Sequence, residues 1–454
     1  MFTDEKTKQI RTGDLTLHCI EVEIFQAVEN GLRMLGYGTI KINSIGTIYL
    51  EFICTYSENV PRAFFNEKLP KDPLNHEHNL HLRVKTLNGD EYKSNGFSVQ
   101  IDINSSRLPA HHYITLSSIY TVSTTELKED NYLYFQFAER SSIPPNKSNT
   151  LESSLGSKSY SWNQTVLEMD SYLISIVSHK GYTEVNTTGI FEPEELLECL
   201  KFYIGFSSSS MPQFYYVKEI KNGRKREVVS SIDNKQKLKH SSSPMIDSIA
   251  DEKYRDFAYH YSLLENIINL YRENPKQFES IYSQWERVWH SFQSKNSIMI
   301  LTLSVAIEGL LNDIYIPAIK IKNNDIELDA QIDNIKQQIK SLELTSDQRS
   351  RLIGSVSYWK SITAAKALGY LIERGVVTTA DKKLWQELRN ESAHPKVREE
   401  NLDKERLELE QVLSCLNLFH KLILNTLSFS GPIILLQADR KFTCVELIHK
   451  DILS

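Results

Sequence analysis

The hydrophobic period of this chain changes once, and that change limits what each part can fold into. Up to about residue 240, apolar and β-branched residues come in short, mostly alternating runs, among them Gly46–Ile53, Asn79–Val84, Phe97–Ile103 and Tyr132–Phe137. A period of two turns one face of a strand inward. From Ile246 the apolar residues recur every three or four positions over 248–274, 277–293, 297–316, 327–343, 358–374, 381–393 and 402–427. That is the period of a helix with one buried stripe. The run His240-Ser241-Ser242-Ser243-Pro244 separates the two regimes. At 454 residues the chain exceeds one ordinary domain of roughly 100–200 residues. The expectation is an α+β multidomain protein: an all-β, sandwich-like domain over 1–240, a helical connector over 245–295, a helical bundle over 296–431 and a β-hairpin tail over 432–454.

Turn chemistry sharpens the first part. Asn88-Gly89-Asp90 and Lys221-Asn222-Gly223-Arg224 are hairpin turns, because Asn-Gly and Gly-Asp pairs accept the positive φ such turns require. Arg140 to Gln164 is rich in Ser, Asn and Pro without a period, and reads as a long exposed loop or a mobile insert, or equally as a partner-sensing loop. Glu192 to Tyr203 opens with acids and a Pro and then carries a helical stripe, which predicts one helix among the strands.

A formal net charge of −6 excludes a chain that attracts nucleic acid over its whole surface. Any RNA contact must be local. The basic run at Lys218, Lys221, Arg224, Lys225 and Arg226, followed by Lys235, Lys237 and Lys239, offers such a patch. Lys221, Arg224, Lys225 and Arg226 are its candidate RNA contacts, set against the simpler reading of a solvated hairpin tip. His76, His78 and His81 have a spacing that brings two imidazoles near one ion, but no carboxylate or Cys pattern completes a ligand set. Cys19, Cys54, Cys199, Cys415 and Cys444 are odd in number and scattered, unlike a disulfide framework. The first residues lack an apolar signal core, and the most apolar stretch, Ile298 to Ile319, is interrupted by Glu308 and Asp313. A cytoplasmic protein with no membrane segment is expected.

The most chemically suggestive stretch is Leu384-Trp385-Gln386-Glu387-Leu388-Arg389-Asn390-Glu391-Ser392-Ala393-His394-Pro395. An Arg can clamp a phosphate with its planar fork, and a His titrates near neutral pH and can move a proton. On a straight helix, Arg389 and His394 would sit about 140° apart, whereas Asn390 and His394 share a face. Pro395 pushes the preceding residue out of the α region, so His394 can swing off the helix end toward Arg389. The spacing alone is weak, since Arg107 to His112 and Arg255 to His260 repeat it. The former lies in the β half with an apolar residue after the Arg. The latter lies inside an uninterrupted helix that would hold the two side chains apart. Earlier in the helical part, Glu308, Asn312 and Tyr315 fall on one stripe of an apolar helix. Such a stripe either lines a site or bonds to a neighbouring helix.

Ala306-Ile307-Glu308-Gly309-Leu310-Leu311, Ala367-Leu368 with Leu371, the turn at Gly375, and Leu384 to Pro395 together resemble the HEPN superfamily over roughly residues 296 to 430. The likeness implies a HEPN-type helical bundle with endoribonuclease activity. Arg389 and His394 become the catalytic pair, Asn390 the polar residue beside them, and Glu308 and Asn312 accessory groups. RNA carries its own nucleophile, the 2′-OH, so the protein need only move protons and stabilise charge. No metal or other cofactor is called for. Base and acid are two tasks and the motif holds one His, so a homodimer with two motifs at one cleft is expected, as in HEPN ribonucleases. Relatives of this kind commonly serve as toxins or in phage defence such as abortive infection, with a phage or antitoxin protein as trigger or inhibitor. The β-rich part would then sense or regulate. Many HEPN domains are inactive binding or dimerisation modules, and that alternative stays open.

Overall fold

The computed structural model describes residues 4–61, 66–125, 130–138, 141–147, 149–153, 156–160, 163–232, 245–246, 257–292, 296–322, 326–357, 361–393, 402–437 and 443–452. The chain divides into two units, one of Met1–Lys201 with Met211–Lys239, the other of Phe202–Ser210 with His240–Ser454.

The first unit opens with α1 (Asp4–Thr12), which has acids in its first turn and Arg11 in its last, in keeping with the helix dipole. The strands follow as β1 (Thr16–Gln26), β2 (Arg33–Ile42), β3 (Ile48–Glu58), β4 (Glu67–Leu69), β5 (Leu80–Thr86), β6 (Glu91–Phe97), β7 (Val99–Ile101), β8 (Ala110–Leu116) and β9 (Ser118–Thr124). Then come β10 (Asn131–Phe137), β11 (Asn149–Ser153), β12 (Gly156–Tyr160), β13 (Gln164–Glu168), β14 (Tyr172–His179) and β15 (Tyr182–Gly189). Helix α2 (Pro193–Ser208) precedes β16 (Phe214–Lys221) and β17 (Arg224–Ser230). Both Gly-containing turns are hairpins. β16 and β17 pair Lys221 with Arg224 across Asn222 and Gly223 at φ 51 and 72°, the left-handed pair a two-residue turn needs. In β1, Leu17 and Cys19 point inward, and so do Val22 and Ile24, which are out of phase with them. A bulge between Cys19 and Val22 absorbs the extra residue and leaves Ile20 exposed.

An all-β part was expected, and the ladders paired throughout the unit are antiparallel. The arrangement differs from two face-to-face sheets: among the described residues, 13 strands form one hydrogen-bonded sheet, ordered β13-β14-β15-β10-β16-β17-β9-β6-β5-β1-β2-β3-β8. The reason is one run of chain, Ala110 to Thr124, broken only at Ser117. Its first half, β8, pairs with β3. Its second half, β9, pairs with β17 and meets β6 at Lys93 and Tyr120. The half of the sheet from β6 to β8 curls until β8 lies beside β6, around a core of Ile24, Met34, Ile40, Leu50, Phe52 and Leu82. The stretch from Arg140 to Gln164 is also not simply an exposed loop. β11 and β12 pair there, Ile143 is buried, and the Ser141 amide donates to Thr183 Oγ1 at 2.8 Å.

In the second unit the helices are α3 (Ala258–Glu273), α4 (Pro275–Ser291), α5 (Asn296–Leu310), α6 (Ile316–Lys322), α7 (Ile326–Ser341), α8 (Ser346–Ser357), α9 (Ala364–Glu373), α10 (Thr379–Ala393) and α11 (Leu402–Thr426). α3 and α4 part at Asn274, which caps α4 ahead of Pro275. α9 stops at Gly375, at φ 70°, as its position past the last apolar turn predicts. α8 went unread in the sequence, yet its start is a reciprocal cap: Gln348 Nε2–Oε1 reaches back so that Oε1 accepts from the Thr345 amide, and Thr345 Oγ1 accepts from the Gln348 amide. The strands β18 (Gly431–Leu435) and β19 (Thr443–Leu447) pair as a hairpin. Asn417 on α11 holds the end of β18 by exchanging hydrogen bonds with Leu436 at 2.9 and 3.0 Å.

α5 is the central helix, packed against α4, α10 and α11. The stretch Ile298–Ile321 is long and apolar enough to cross a membrane, and 56% of that window is buried inside the structure. Leu303, Ala306, Ile307, Leu310 and Leu311 form the buried side. Ile298, Leu301 and Val305 form an exposed stripe at 51, 48 and 53% exposure. Between α5 and α6, Leu311–Tyr315 is a π turn, which winds the chain by an extra residue. Tyr315 consequently leaves the stripe expected of a regular helix. It is fully buried and donates to the Leu422 carbonyl on α11 at 2.6 Å. On α11 the apolar face begins at Val412, while Leu407 and Leu409 are exposed.

Candidate active site

The motif helix α10 is built to present one face and bury another. Thr378 caps it, its hydroxyl accepting from the Asp381 amide while Asp381 accepts from the Thr378 amide and hydroxyl, so the helix begins at Thr379. Lys421 on α11 pairs with Asp381 at 3.4 Å. Trp385 and Leu388 are buried, and the Trp385 indole donates to the Ser304 carbonyl of α5 at 3.2 Å. This contact sets the rotation of α10 on α5. One turn on, Arg389 and Asn390 are exposed.

The rotation brings Arg389 to Glu308. The Arg389 Nε donates to Glu308 Oε2 at 3.0 Å and its Nη2 to Oε1 at 3.0 Å. This is the two-point fork that a guanidinium makes with a carboxylate. The Trp385 ring lies beneath, 5.8 Å from the guanidinium carbon, within cation–π range. Glu387, two residues before Arg389, lies 3.8 Å from Lys383. Arg389 is thus held between a carboxylate on a second helix and an indole on its own. Asn312 is exposed one turn beyond Glu308. His394 lies outside the described residues, as does Pro395.

The other sequence candidates separate clearly. His112 is buried, stacks on Phe52 with centroids 6.0 Å apart, and burial lowers its pKa, while Arg107 is exposed. His260 is fully buried, with Nδ1 2.9 Å from the Tyr203 hydroxyl, and burial pushes its pKa down to about 4. It is a core histidine. Arg255 lies outside the described residues. His76 and His78 sit in an exposed turn, and His81 stacks on Phe25. Among the described residues no group of three His, Cys, Asp or Glu side chains is placed to hold a metal. Cys19, Cys54, Cys199 and Cys415 are buried and Cys444 exposed, all as free thiols.

Of the candidate RNA contacts at β16 and β17, Lys225 is the one that the strand turns inward. Lys225 is 7% exposed and pairs at 2.9 Å with Glu227, itself 2% exposed, so it faces the interior. Lys221 pairs with Glu192 and Arg226 with Glu219 at 3.6 Å. Strand alternation turned Lys225 inward, and acidic neighbours neutralise the rest of the pairs. Arg224 at the turn is exposed.

Trp385 stood in the motif without this role, and a bond to the Ser304 backbone carbonyl leaves no mark in the sequence. No family model, curated protein or solved structure matches the chain.

Proposed function

We propose that the second unit is a metal-independent endoribonuclease of HEPN type. It works in the cytoplasm as a two-fold dimer, as a phage-defence effector or toxin restrained by the β-rich first unit. The observation that carries this reading is the fork of Glu308 on Arg389, which fixes a guanidinium beside Asn390 on an exposed face near the end of the motif helix. In this mechanism His394 takes the proton of the 2′-OH, Arg389 offsets the charge that develops on the phosphate, and His394 of the second copy protonates the leaving 5′-oxygen. The products are a 2′,3′-cyclic phosphate and a 5′-OH, and DNA is not cut. The exposed stripe of Ile298, Leu301 and Val305 runs along α5 toward Glu308 and Asn312, at helical spacings of three and four. An apolar face continuous with the site suits a second copy of the same chain.

Cleavage of a labelled RNA by wild type and His394→Ala, with and without a chelator, tests the reading. Wild type should be indifferent to the chelator, and the variant should lose on the order of 10²-fold or more. Unchanged cleavage by the variant removes the site, and loss with chelator removes the metal-free route. A non-catalytic module is favoured by one feature of the same pair: Glu308 takes two of the guanidinium's five N–H donors. The same assay decides between the two.

A further inference from the structure

The first unit contains a cleft of about 430 Å³, within the roughly 300–1,000 Å³ typical of small-ligand sites. It lies on the adjoining strands β15, β10 and β16, with α1 as its remaining wall. α1 is anchored there by buried Thr7 and Ile10.

Two cations line this space with no carboxylate at ion-pair distance among the described residues. Lys218 lies 5.2 Å from the centroid of the Tyr132 ring. Arg11 stacks 3.9 Å over Tyr182, and His179 stacks on the same ring at 4.4 Å and 10°, which sterics assign to its opposite face. The rings thus support cations and are not left as empty stacking platforms. The neighbouring Lys221, Lys225 and Arg226 all have acidic partners, so Lys218 stands apart within its own hairpin. Burial, and then the charge of Lys225, hold its pKa below the usual lysine value, against the smaller opposing pull of Glu227 and Asp4. A cation that has lost more to burial than nearby carboxylates return, with none of them at ion-pair distance, is poised to take an anion.

Two acids line the cleft: Asp4, exposed at the start of α1, and Glu184, which is already engaged. Glu184 Oε2 accepts from the Tyr134 hydroxyl at 2.9 Å, and Oε1 lies 3.0 Å from His179 Nε2. Tyr134 in turn accepts from Gln136, whose Oε1 accepts from buried Tyr215 at 2.7 Å. This chain of bonds holds Glu184 in place and leaves Arg11 and Lys218 as the cleft's charged donors without ion pairs. A guanidinium fork and an ammonium together match a phosphate better than a single carboxylate. The volume exceeds what a bare phosphate fills, and the polar lining suits a sugar and a base edge rather than an apolar group.

We infer that this cleft binds a small phosphate ester of nucleotide size, with its phosphate on Arg11 and Lys218 and its polar remainder against Tyr132 and the strand edge. The inference does not depend on the second unit being a nuclease.

Calorimetric titration of the full chain with AMP, UMP, ribose 5-phosphate and inorganic phosphate tests it. At least one nucleotide should bind with Kd below about 0.1 mM. Lys218→Met should weaken it about tenfold or more, and Lys218→Arg, which restores the charge, should retain it. Arg11→Gln should weaken it similarly; because Arg11 also braces Tyr182, circular dichroism and melting of that variant show whether its fold is intact, and the Lys218 pair decides if it is not. Absence of nucleotide binding below about 1 mM, affinity unchanged in Lys218→Met, or inorganic phosphate or ribose 5-phosphate binding as tightly as the nucleotides would each overturn the assignment.

Discussion

Replacing Glu308 by Gln removes the charge that α5 presents to Arg389 while keeping its size and one acceptor. The Arg389 side chain is 52% exposed and Glu308 30%, so water screens the pair. Even as a two-point fork it should contribute about 1 kcal/mol or less to stability. The effect on cleavage should be larger. Without the fork the guanidinium is no longer pinned over Trp385, and misplacing a charge-stabilising group should cost about tenfold or more in kcat. Removing it, as in Arg389→Ala, should cost on the order of 10²–10³. Urea unfolding followed by tryptophan fluorescence gives the stability arm, and initial rates on a quenched fluorescent RNA give the activity arm. In the double variant, Glu308→Gln should add nothing to Arg389→Ala, since the two act as one unit. The buried pair supplies a contrast: Glu227→Gln leaves Lys225 interior without its partner and should cost about 3–5 kcal/mol, with cleavage by the folded protein unchanged. A positioning role for Glu308 is refuted if Glu308→Gln costs more than about 2 kcal/mol of stability, or if its cleavage rate stays within about twofold of wild type.

Two further outcomes follow from the second unit. Leu301→Glu combined with Val305→Glu should leave the protein folded but monomeric in sedimentation, with cleavage lost; a persistent dimer would mean that the α5 stripe is not the interface. Burial lowers both His260 and His420 to about 4, against an ordinary value near 6.5. The unfolded chain therefore takes up these protons first as pH falls, and the stability present above about pH 6.5 is lost progressively down to about pH 4, by about 3 kcal/mol for each His. His420→Leu should flatten that pH dependence in urea unfolding, and an unchanged slope would refute the assignment to His420.

What could be read from the sequence was local. Asn222-Gly223 and Gly375 announced their turns because the chemistry of positive φ resides in those residues themselves. The switch of period at the Ser-rich break announced a β-rich part and a helical part for the same reason. The bulge in β1, the π turn after α5 and the closure of the sheet through β8 and β9 depend on partners far along the chain, and a period count cannot see them. Glu308 and Arg389 were both singled out, one from a polar stripe and the other from a motif. Their union depends on the packing of α10 against α5, through Trp385 and Ser304. Lys225 shows the opposite limit. It looked like one more surface cation until alternation along β17 placed it inside. The cleft of Arg11 and Lys218 left no sequence signal, because its walls come from α1, β10, β15 and β16.

The segment from Ala110 to Thr124 also orders events in time. As the chain emerges from a ribosome, β1, β2, β3, β5, β6 and β8 can pair soon after each appears, because their partners lie within the same stretch. β9 pairs Ser118 with Ser230, so most of its ladder must wait for the rest of the unit to be made. During that interval the growing protein carries an unsatisfied strand edge next to an already assembled core, the kind of edge that invites pairing with another chain. The seven residues of β9 keep such an edge until β17 arrives, as β10 keeps one until β16 does.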